Sequence, residues 1–310
     1  MSISARAPTR IDFGGGWTDV PPYCDREGGF VCNVAISRYA TATAESGAQA
    51  KGGRDEQLVS AAVRRSGLTD VRVNVESDFP VGAGLGGSSS ASAAIRGALL
   101  AWKEEPWDLR EIAEAGRVIE VEDLGVAGGR QDHYAATHGG ALGLTFTDTV
   151  HVDRLTLSDA ARAEFERRAL LVYTGQSRIS GDTITAVIGA YLERDRRVTS
   201  ALREMKRVAT EMAPALERGD FDHLAQLVEE HWASQRALND AIPTALIDEI
   251  IERARKAGAH GSKALGASGG GCVLVIAGEE NVVGVRRAVE TLGTLLDFAV
   301  DLGGLARVEI

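Results

Sequence analysis

Alternating apolar and polar positions predict β-strands in the first half of the chain. Val71, Val73 and Val75 alternate with polar neighbours, which is the period of two expected of a strand with one buried face. A stretch rich in glycine and proline, residues 14–22, connects the first two of these segments and indicates an irregular loop. The predicted strands are 3–12, 31–44, 71–76 and 139–146.

A different spacing, with apolar residues three and four positions apart, predicts helices. After residue 90 the apolar residues recur at helical spacing up to Trp102, and Asp108 is a suitable N-cap for the helix that follows. A Gly-Gly turn at 128–129 precedes a short helix that begins near Gln131. The predicted helices of the first half are 55–66, 91–102, 109–119 and the one from about 131.

The second half of the chain is dominated by predicted helices. A short strand at 169–173 leads into them, and a glycine cluster at 263–272 leads into an apolar strand that ends at 277. A last helix and two short strands close the chain. The helices are predicted at 184–191, 198–212, 221–232 and 246–254. Because strands and helices do not alternate in a regular βαβ rhythm, we expect an α+β fold, with a domain boundary near residue 168.

Composition and charge exclude several classes of protein. The chain has 310 residues and a formal net charge of −10, and it has no basic stripe, so we expect no nucleic-acid partner. Its three cysteines (Cys24, Cys32 and Cys272) have no CxxC spacing, which favours reduced thiols. The first residues lack the apolar core of a signal peptide, and no apolar run is long enough to cross a bilayer. We therefore expect a cytoplasmic protein without a membrane partner.

The most distinctive stretch is residues 80–94, PVGAGLGGSSSASAA. Glycines allow a backbone to approach a ligand closely, and the amides and dipole of a following helix attract negative charge. The stretch lacks the Gly-Lys-Ser/Thr of a Walker A loop, so it is not the common phosphate loop. It predicts an anion site next to a helix, although a glycine- and serine-rich surface loop before a capped helix would have the same composition.

Three glycine-containing segments in this order resemble the three motifs of the GHMP small-molecule kinases: 7–19 (APTRIDFGGGWTD), 80–91 and 263–272 (KALGASGGGC). Within that superfamily the chain resembles most the heptose-7-phosphate kinase and fucokinase branch. The residues that carry this second likeness are 10–22 (RIDFGGGWTDVPP), 28–36 (GGFVCNVAI), 129–136 (GRQDHYAA) and 174–178 (TGQSR).

The resemblance implies a fold and its ligands. It implies an N-terminal ATP-binding α+β domain with a left-handed βαβ feature over residues 1–168, and a C-terminal ferredoxin-like domain over 169–310. ATP, Mg²⁺ and a sugar or sugar phosphate would bind between the domains, and the protein would be a monomer or a homodimer.

The resemblance also assigns residues to the nucleotide. Where the family often has serine, this chain has Gly87, so one hydroxyl is missing, and Ser268 stands where glycine is usual. The glycines of the third motif, which also include Gly266 and Gly271, would brace the first loop. The nucleotide-binding residues implied are Gly82, Gly84, Leu85, Gly86, Gly87, Ser88, Ser89, Ser90, Gly269 and Gly270.

For catalysis the resemblance implies Asp132 as the acceptor of the proton of the attacking hydroxyl, and Arg10 beside it. Ser88 and Glu120 would hold Mg²⁺. Each residue also has a simpler interpretation. Asp132 could be a first-turn aspartate that complements the helix dipole, and Arg10 could form a surface salt bridge. Ser88 could be a helix N-cap, and Glu120 could belong to a solvated acidic helix face. Glu122 competes with Glu120 for the same role.

For the sugar, the resemblance implies Asp19 as acceptor of two hydroxyls, with Gly16, Trp17 and Gly175 near it and Arg178 on a distal phosphate. Galactokinase-like enzymes have Glu-His where this chain has Gly16 and Trp17, which argues against galactose; Trp17 could instead be part of the core. We expect a kinase of the anomeric hydroxyl, with D-glycero-D-manno-heptose 7-phosphate as the best substrate and L-fucose as the alternative. A non-catalytic sensor and a diphosphate decarboxylase on the same fold are the remaining alternatives.

Overall fold

The computed structural model describes residues 2–48, 55–176 and 181–309. Its first sheet has six strands in the order β10-β1-β2-β4-β5, and β3 also pairs with β2. Every pairing is antiparallel, and the register places Asp12 directly opposite Asn33. These strands are β1 Ser2–Gly14, β2 Gly29–Ser46, β3 Val71–Ser77, β4 Ala141–Phe146, β5 Val150–Leu155 and β10 Ala306–Val308.

Helices cover one region of this sheet. α3 packs on β1 and β2 and buries nearly all of its residues, which explains why its sequence consists of small and apolar residues. α5 packs on β1 and against α3 and α4. The helices of the first half are α1 Tyr23–Glu27, α2 Glu56–Ser66, α3 Gly87–Trp102, α4 Leu109–Val118, α5 Gln131–His138 and α6 Asp159–Arg168, with a π-helical turn at Ile119–Asp123.

The second sheet has four antiparallel strands in the order β7-β8-β6-β9. With β6 as the first strand of the unit, this order and the intervening helices give the βαββαβ topology of a ferredoxin-like fold, as expected. Its elements are β6 Ala169–Tyr173, α7 Gly181–Leu192, α8 Arg196–Arg218, α9 Phe221–Arg236, α10 Ala245–Lys256, β7 Ala259–Ala264, β8 Cys272–Ala277, α11 Val282–Val289 and β9 Thr294–Leu295.

The observed elements match the predicted α+β class, with four additional strands and helices. β5, β7, α1 and α6 were not predicted, and α8 continues through Pro214 to Arg218 instead of ending at Met212. β5 and α6 are mostly solvent-facing, so they lack the apolar periodicity on which the prediction depended. The division at residue 168 remains a prediction; β10, from the end of the chain, pairs with β1 of the first sheet. Within the described ranges, no helix is both long and apolar enough to span a bilayer.

Candidate active site

One cavity, of about 430 Å³, brings together most of the residues that the sequence analysis selected. Ile184, Gly266 and Ala267 of the second half complete its wall. Of the predicted residues, Ser90, Gly175, Gly269 and Gly270 lie off this wall, and Arg178 lies outside the described residues. The predicted residues that line it are Arg10, Gly16, Trp17, Asp19, Gly82, Gly84, Leu85, Gly86, Gly87, Ser88, Ser89, Glu120 and Asp132.

A two-pronged ion pair joins Arg10 of β1 to Asp132 in the first turn of α5. Arg10 Nε donates to Asp132 Oδ1 at 2.7 Å, and a terminal nitrogen donates to Oδ2 at 2.9 Å. The other terminal nitrogen donates to the carbonyl of Gly84 at 2.6 Å. Arg10 is only 3% exposed, whereas the side chain of Asp132 is 27% exposed and lines the cavity. The aspartate is therefore fixed in one orientation at the edge of the glycine loop.

The glycine loop leads directly into the N-terminus of α3. Gly82, Gly84 and Gly86 have φ of 66°, 73° and 74°, so the loop turns three times through the left-handed region before the helix begins at Gly87. The first amides of a helix have no partner inside it, and they carry the positive end of the helix dipole. This end of the cavity is suited to bind an anion such as a phosphate chain.

The absence of a side chain at position 87 has a structural reason. A Cβ built on Gly87 would lie within 3.0 Å of the ring of Phe79. Phe79 is 7% exposed and lines the cavity next to the loop. The phenylalanine thus fills the space that a serine side chain would need.

Glu120 is held between Ser88 and His133. Ser88 donates its hydroxyl hydrogen to Glu120 Oε1, and His133 Nε2 lies 2.9 Å from Oε2. Burial works against charging either partner, but each raises the stability of the other's charged form, so the pKa of Glu120 is lowered and that of His133 is raised. The two side chains form a buried ion pair, and the sequence analysis had found no role for His133.

The π-helical turn separates Glu120 from its competitor Glu122. Glu120 points into the cavity with 13% of its side chain exposed, whereas Glu122 is 62% exposed and pairs with Arg65 at the surface. One extra residue in a helical turn redirects the side chains that follow, which is why π-helical turns are frequent at functional sites. Glu120 is therefore the carboxylate available to the cavity.

The three consecutive serines have different environments. Ser88 and Ser89 line the cavity, and Ser89 Oγ is 3.4 Å from His133 Nε2. Ser90 is fully buried: its hydroxyl donates to the carbonyl of Ala7 and accepts from the amide of Ala40. The hydroxyl of Ser90 fixes α3 to the sheet instead of facing the cavity.

Asp19 lines the cavity beside the start of α5 and is 2% exposed. Its Oδ2 accepts the amide hydrogen of Gln131 at 2.9 Å. Burial, with a smaller effect of the neighbouring carboxylates of Asp132 and Asp12, raises the pKa of Asp19 to about 6. A Cβ on Gly129 would overlap this carboxylate, so the Gly-Gly turn before α5 is required for Asp19 to fit.

The third glycine segment contacts the first loop through its backbone. The amide of Cys272 donates to the carbonyl of Ala83 at 2.8 Å. A Cβ on Gly84 would lie 2.8 Å from the carbonyl oxygen of Leu265, so this contact is as close as a glycine allows. The amide of Gly269 is bonded to Ile242, and Gly266 forms the cavity wall instead. The segment braces the loop, as the resemblance implied.

The arrangement places a carboxylate, fixed by an arginine, in one cavity with a helix N-terminus suited to an anion and with the buried carboxylate of Asp19. It can orient a hydroxyl for attack on a phosphate, which is the requirement of phosphoryl transfer. In the described ranges no group of three or more His, Cys, Asp or Glu side chains could hold a metal by itself. A magnesium ion here would take few protein ligands, as is usual when a nucleotide supplies the others.

Comparisons with known proteins agree with this chemistry. The family described as "GHMP kinases N terminal domain" matches residues 56–140, and "GHMP kinases C terminal" matches 212–294. A D-glycero-alpha-D-manno-heptose 7-phosphate kinase of Campylobacter jejuni is 30% identical over 299 residues, which cover 87% of this chain and 88% of that protein.

Two further similarities bear on the substrate. The L-fucokinase/L-fucose-1-P guanylyltransferase of Bacteroides fragilis is 26% identical over 89% of this chain, and the match covers 34% of that longer protein. The crystal structure of a D-glycero-D-manno-heptose 1-phosphate kinase from Bacteroides thetaiotaomicron superposes with a TM-score of 0.80, at 25% identity over 99% of both chains.

Proposed function

This chain belongs to the GHMP kinases and is an ATP-dependent sugar kinase, and from that premise we propose its substrate and its catalytic residues. The proposed reaction moves the γ-phosphoryl group of ATP to the anomeric hydroxyl of D-glycero-D-manno-heptose 7-phosphate. The product is the 1,7-bisphosphate. The similarity to the heptose 7-phosphate kinase of C. jejuni supports this substrate.

The bidentate pair of Arg10 and Asp132 is the observation that carries the proposal. Asp132 accepts the proton of the anomeric hydroxyl as the bond to phosphorus forms. Arg10 fixes the two oxygens of this carboxylate, and its positive charge offsets the charge that develops between aspartate and phosphate. Arg10 also bonds the Gly84 carbonyl, so a single side chain sets the position of the base relative to the nucleotide loop.

Ser88 and Glu120 supply the protein ligands for Mg²⁺ in this proposal. Both offer oxygen atoms, which this ion prefers, and their side chains already meet in the structure. When bound, the ion neutralises charge on the nucleotide phosphates. His133 keeps the Glu120 carboxylate turned towards Ser88, and the amides at the start of α3 bind the phosphate chain.

Asp19 is the proposed acceptor for hydroxyl groups of the sugar, since a carboxylate accepts two donors at once. Arg178 remains the proposed partner of the distal phosphate. Among the described residues that line the cavity, Arg10 is the one cation, and it is bonded to Asp132. A distal phosphate would therefore depend on a cation from elsewhere in the chain.

The same charge distribution supports a second candidate, L-fucose or another free sugar. Asp12, Asp19 and Asp132 all line the cavity, and three carboxylates favour a neutral polyol over a dianion. The similarity to the L-fucokinase of B. fragilis points the same way.

Initial rates of ADP release decide between the two candidates. The wild type is assayed with ATP and Mg²⁺ against heptose 7-phosphate, L-fucose, galactose, mannose and arabinose. We expect heptose 7-phosphate to give the highest kcat/KM, and Arg178→Ala to raise the KM for that sugar without changing the KM for ATP. A preference for L-fucose would replace the substrate and remove the role of Arg178. If ATP binds but no sugar of the panel is phosphorylated, a non-catalytic sensor is favoured.

A further inference from the structure

A second carboxylate, that of Asp12, is buried at the sugar end of the cavity. Asp12 is 3% exposed and lines the cavity wall. Its Oδ1 is fully enclosed and has no hydrogen-bond partner among the residues that the structure describes. A buried carboxylate oxygen without a donor is costly, and native proteins leave such atoms mainly where a ligand or a water molecule completes the site.

Lys263 fixes the position of Asp12 from below. Lys263 is fully buried at the end of the second sheet, and its ammonium group donates to the backbone carbonyls of Asp12 at 3.0 Å and of Phe13 at 3.2 Å. The same nitrogen lies 3.5 Å from Asp12 Oδ2. Lys263 thus faces one oxygen of the carboxylate and leaves Oδ1 without a donor.

Gly16 provides the space that Asp12 occupies. A Cβ on Gly16 would come within 3.0 Å of both Asp12 Oδ2 and the side-chain nitrogen of Gln131. Gly16 itself has no side chain, and the carboxylate next to it comes from strand β1.

We propose that Asp12 is a second sugar-binding carboxylate, which accepts a hydroxyl group of the substrate, with Lys263 as its positioning residue. The proposal rests on the function proposed above. Asp12 and Asp19 then flank Gln131, whose backbone amide bonds Asp19, and together they select a substrate with several hydroxyl donors.

The test compares Asp12→Asn with the wild type and with Glu122→Gln, a control that removes an exposed carboxylate. For each protein we measure the KM for the sugar that the wild type phosphorylates, the KM for ATP, kcat and Tm. We expect Asp12→Asn to raise the sugar KM about 10- to 100-fold and to leave the ATP KM within about twofold. Glu122→Gln should match the wild type.

A series of monodeoxy sugars sharpens the test. The wild type should discriminate against one analogue that lacks a hydroxyl, and Asp12→Asn should lose that discrimination. An unchanged sugar KM in Asp12→Asn would overturn the proposal. So would a parallel loss of ATP affinity and Tm without a selective effect on the sugar, because that pattern indicates a purely structural role.

Lys263 would be left as an unpaired buried cation in Asp12→Asn, which could prevent folding. The double variant Asp12→Asn/Lys263→Met removes both charges. It should fold and still have a raised sugar KM; recovery of the wild-type KM would overturn the proposal. Phosphorylation of L-fucose instead of the heptose would refute only the proposed substrate, since the Asp12 variants are then measured on L-fucose.

If the wild type turned over no sugar of the panel, the catalytic proposal would fail. The role of Asp12 would then be tested by sugar binding alone. Thermal shifts are then recorded with ADP and each sugar. A shift in the wild type that Asp12→Asn loses selectively would support the role of Asp12. No shift with any sugar would refute it.

Discussion

The two ends of the cavity are built on different principles. The proposed nucleotide end consists of backbone: three left-handed glycines and the amides at the start of α3, all within residues 82–89. The proposed sugar end consists of buried carboxylates whose positions depend on residues far away in the chain, such as Lys263, 251 positions from Asp12. A local backbone site is encoded in one stretch of sequence, whereas a site made by long-range contacts is not.

The ends also differ in charge. The helix terminus offers positive potential without a charged side chain, which suits a polyphosphate in a protein of net charge −10. The sugar end concentrates Asp12, Asp19 and Asp132 around Arg10 and Lys263. In the proposed mechanism the reaction takes place where the two meet, at the carboxylate of Asp132. Substitutions at the ends should therefore separate nucleotide effects from sugar effects.

The largest effect on activity is expected for a substitution of Asp132, where the two ends of the cavity meet. Asp132→Asn keeps the size of the side chain but removes the proton acceptor, so we expect kcat to fall about 1000-fold with little change in ATP affinity. Steady-state rates and calorimetric titration of ADP measure the two quantities. The control is Asp159→Asn, at a carboxylate 95% exposed. A kcat of Asp132→Asn near that of the wild type would refute the assignment.

Gly16→Ala should damage the sugar end only. Its Cβ would collide with Asp12 and Gln131, so we expect kcat/KM for the sugar to fall about 100-fold while the KM for ATP stays within about twofold. The matched control is Gly189→Ala in α7, where a Cβ meets nothing within 4 Å. Equal losses for sugar and nucleotide in Gly16→Ala would contradict the separation of the two ends.

Gly87→Ser should damage the nucleotide end. The serine side chain would collide with the Phe79 ring and displace the start of α3, so the KM for ATP should rise about tenfold. Gly87→Ser/Phe79→Ala removes the collision and should recover most of the affinity. If Gly87→Ser alone binds ATP as well as the wild type, the steric explanation for this glycine is wrong.

Features encoded in one local stretch of sequence could be predicted, whereas features that depend on long-range contacts could not. The glycine loop, Asp132 and the ferredoxin-like topology followed from motifs and from the resemblance. Sequence could not separate Glu120 from Glu122, because a π-helical turn decides which of them faces the cavity. No local sequence pattern encodes tertiary contacts. Two examples are the steric conflict between a side chain at position 87 and Phe79, and the contact of Lys263 with Asp12.

The smallest effect concerns pH. Asp19 is proposed to bind hydroxyl groups of the sugar as a carboxylate, and burial raises its pKa from the ordinary 3.8 to about 6. We expect the sugar KM to rise a few-fold as pH falls below 6, with the ATP KM much less affected. Steady-state kinetics from pH 5 to 8 measures this, and Asp19→Asn should abolish the dependence. A flat sugar KM in the wild type would contradict the role of Asp19.

The same shift has a consequence for stability. Between about pH 4 and 6 the folded chain binds the Asp19 proton more tightly than the unfolded chain does, so the free energy of unfolding falls as pH rises through this window. The burial of the charge costs about 3 kcal/mol above pH 6. Asp19→Asn should therefore raise the free energy of unfolding at pH 7 more than at pH 4 while it weakens sugar binding. Urea unfolding at pH 4 and at pH 7 measures both differences.

Identification of the product tests the proposed reaction most directly. The wild type is incubated with ATP, Mg²⁺ and D-glycero-D-manno-heptose 7-phosphate, and the mixture is followed by ³¹P NMR beside a sample of Asp132→Asn. We expect a second sugar-phosphate signal, coupled to the anomeric proton, that grows in step with ADP in the wild type and is nearly absent in the variant. ADP formation without that signal, or an equal signal in both proteins, would contradict the proposed reaction.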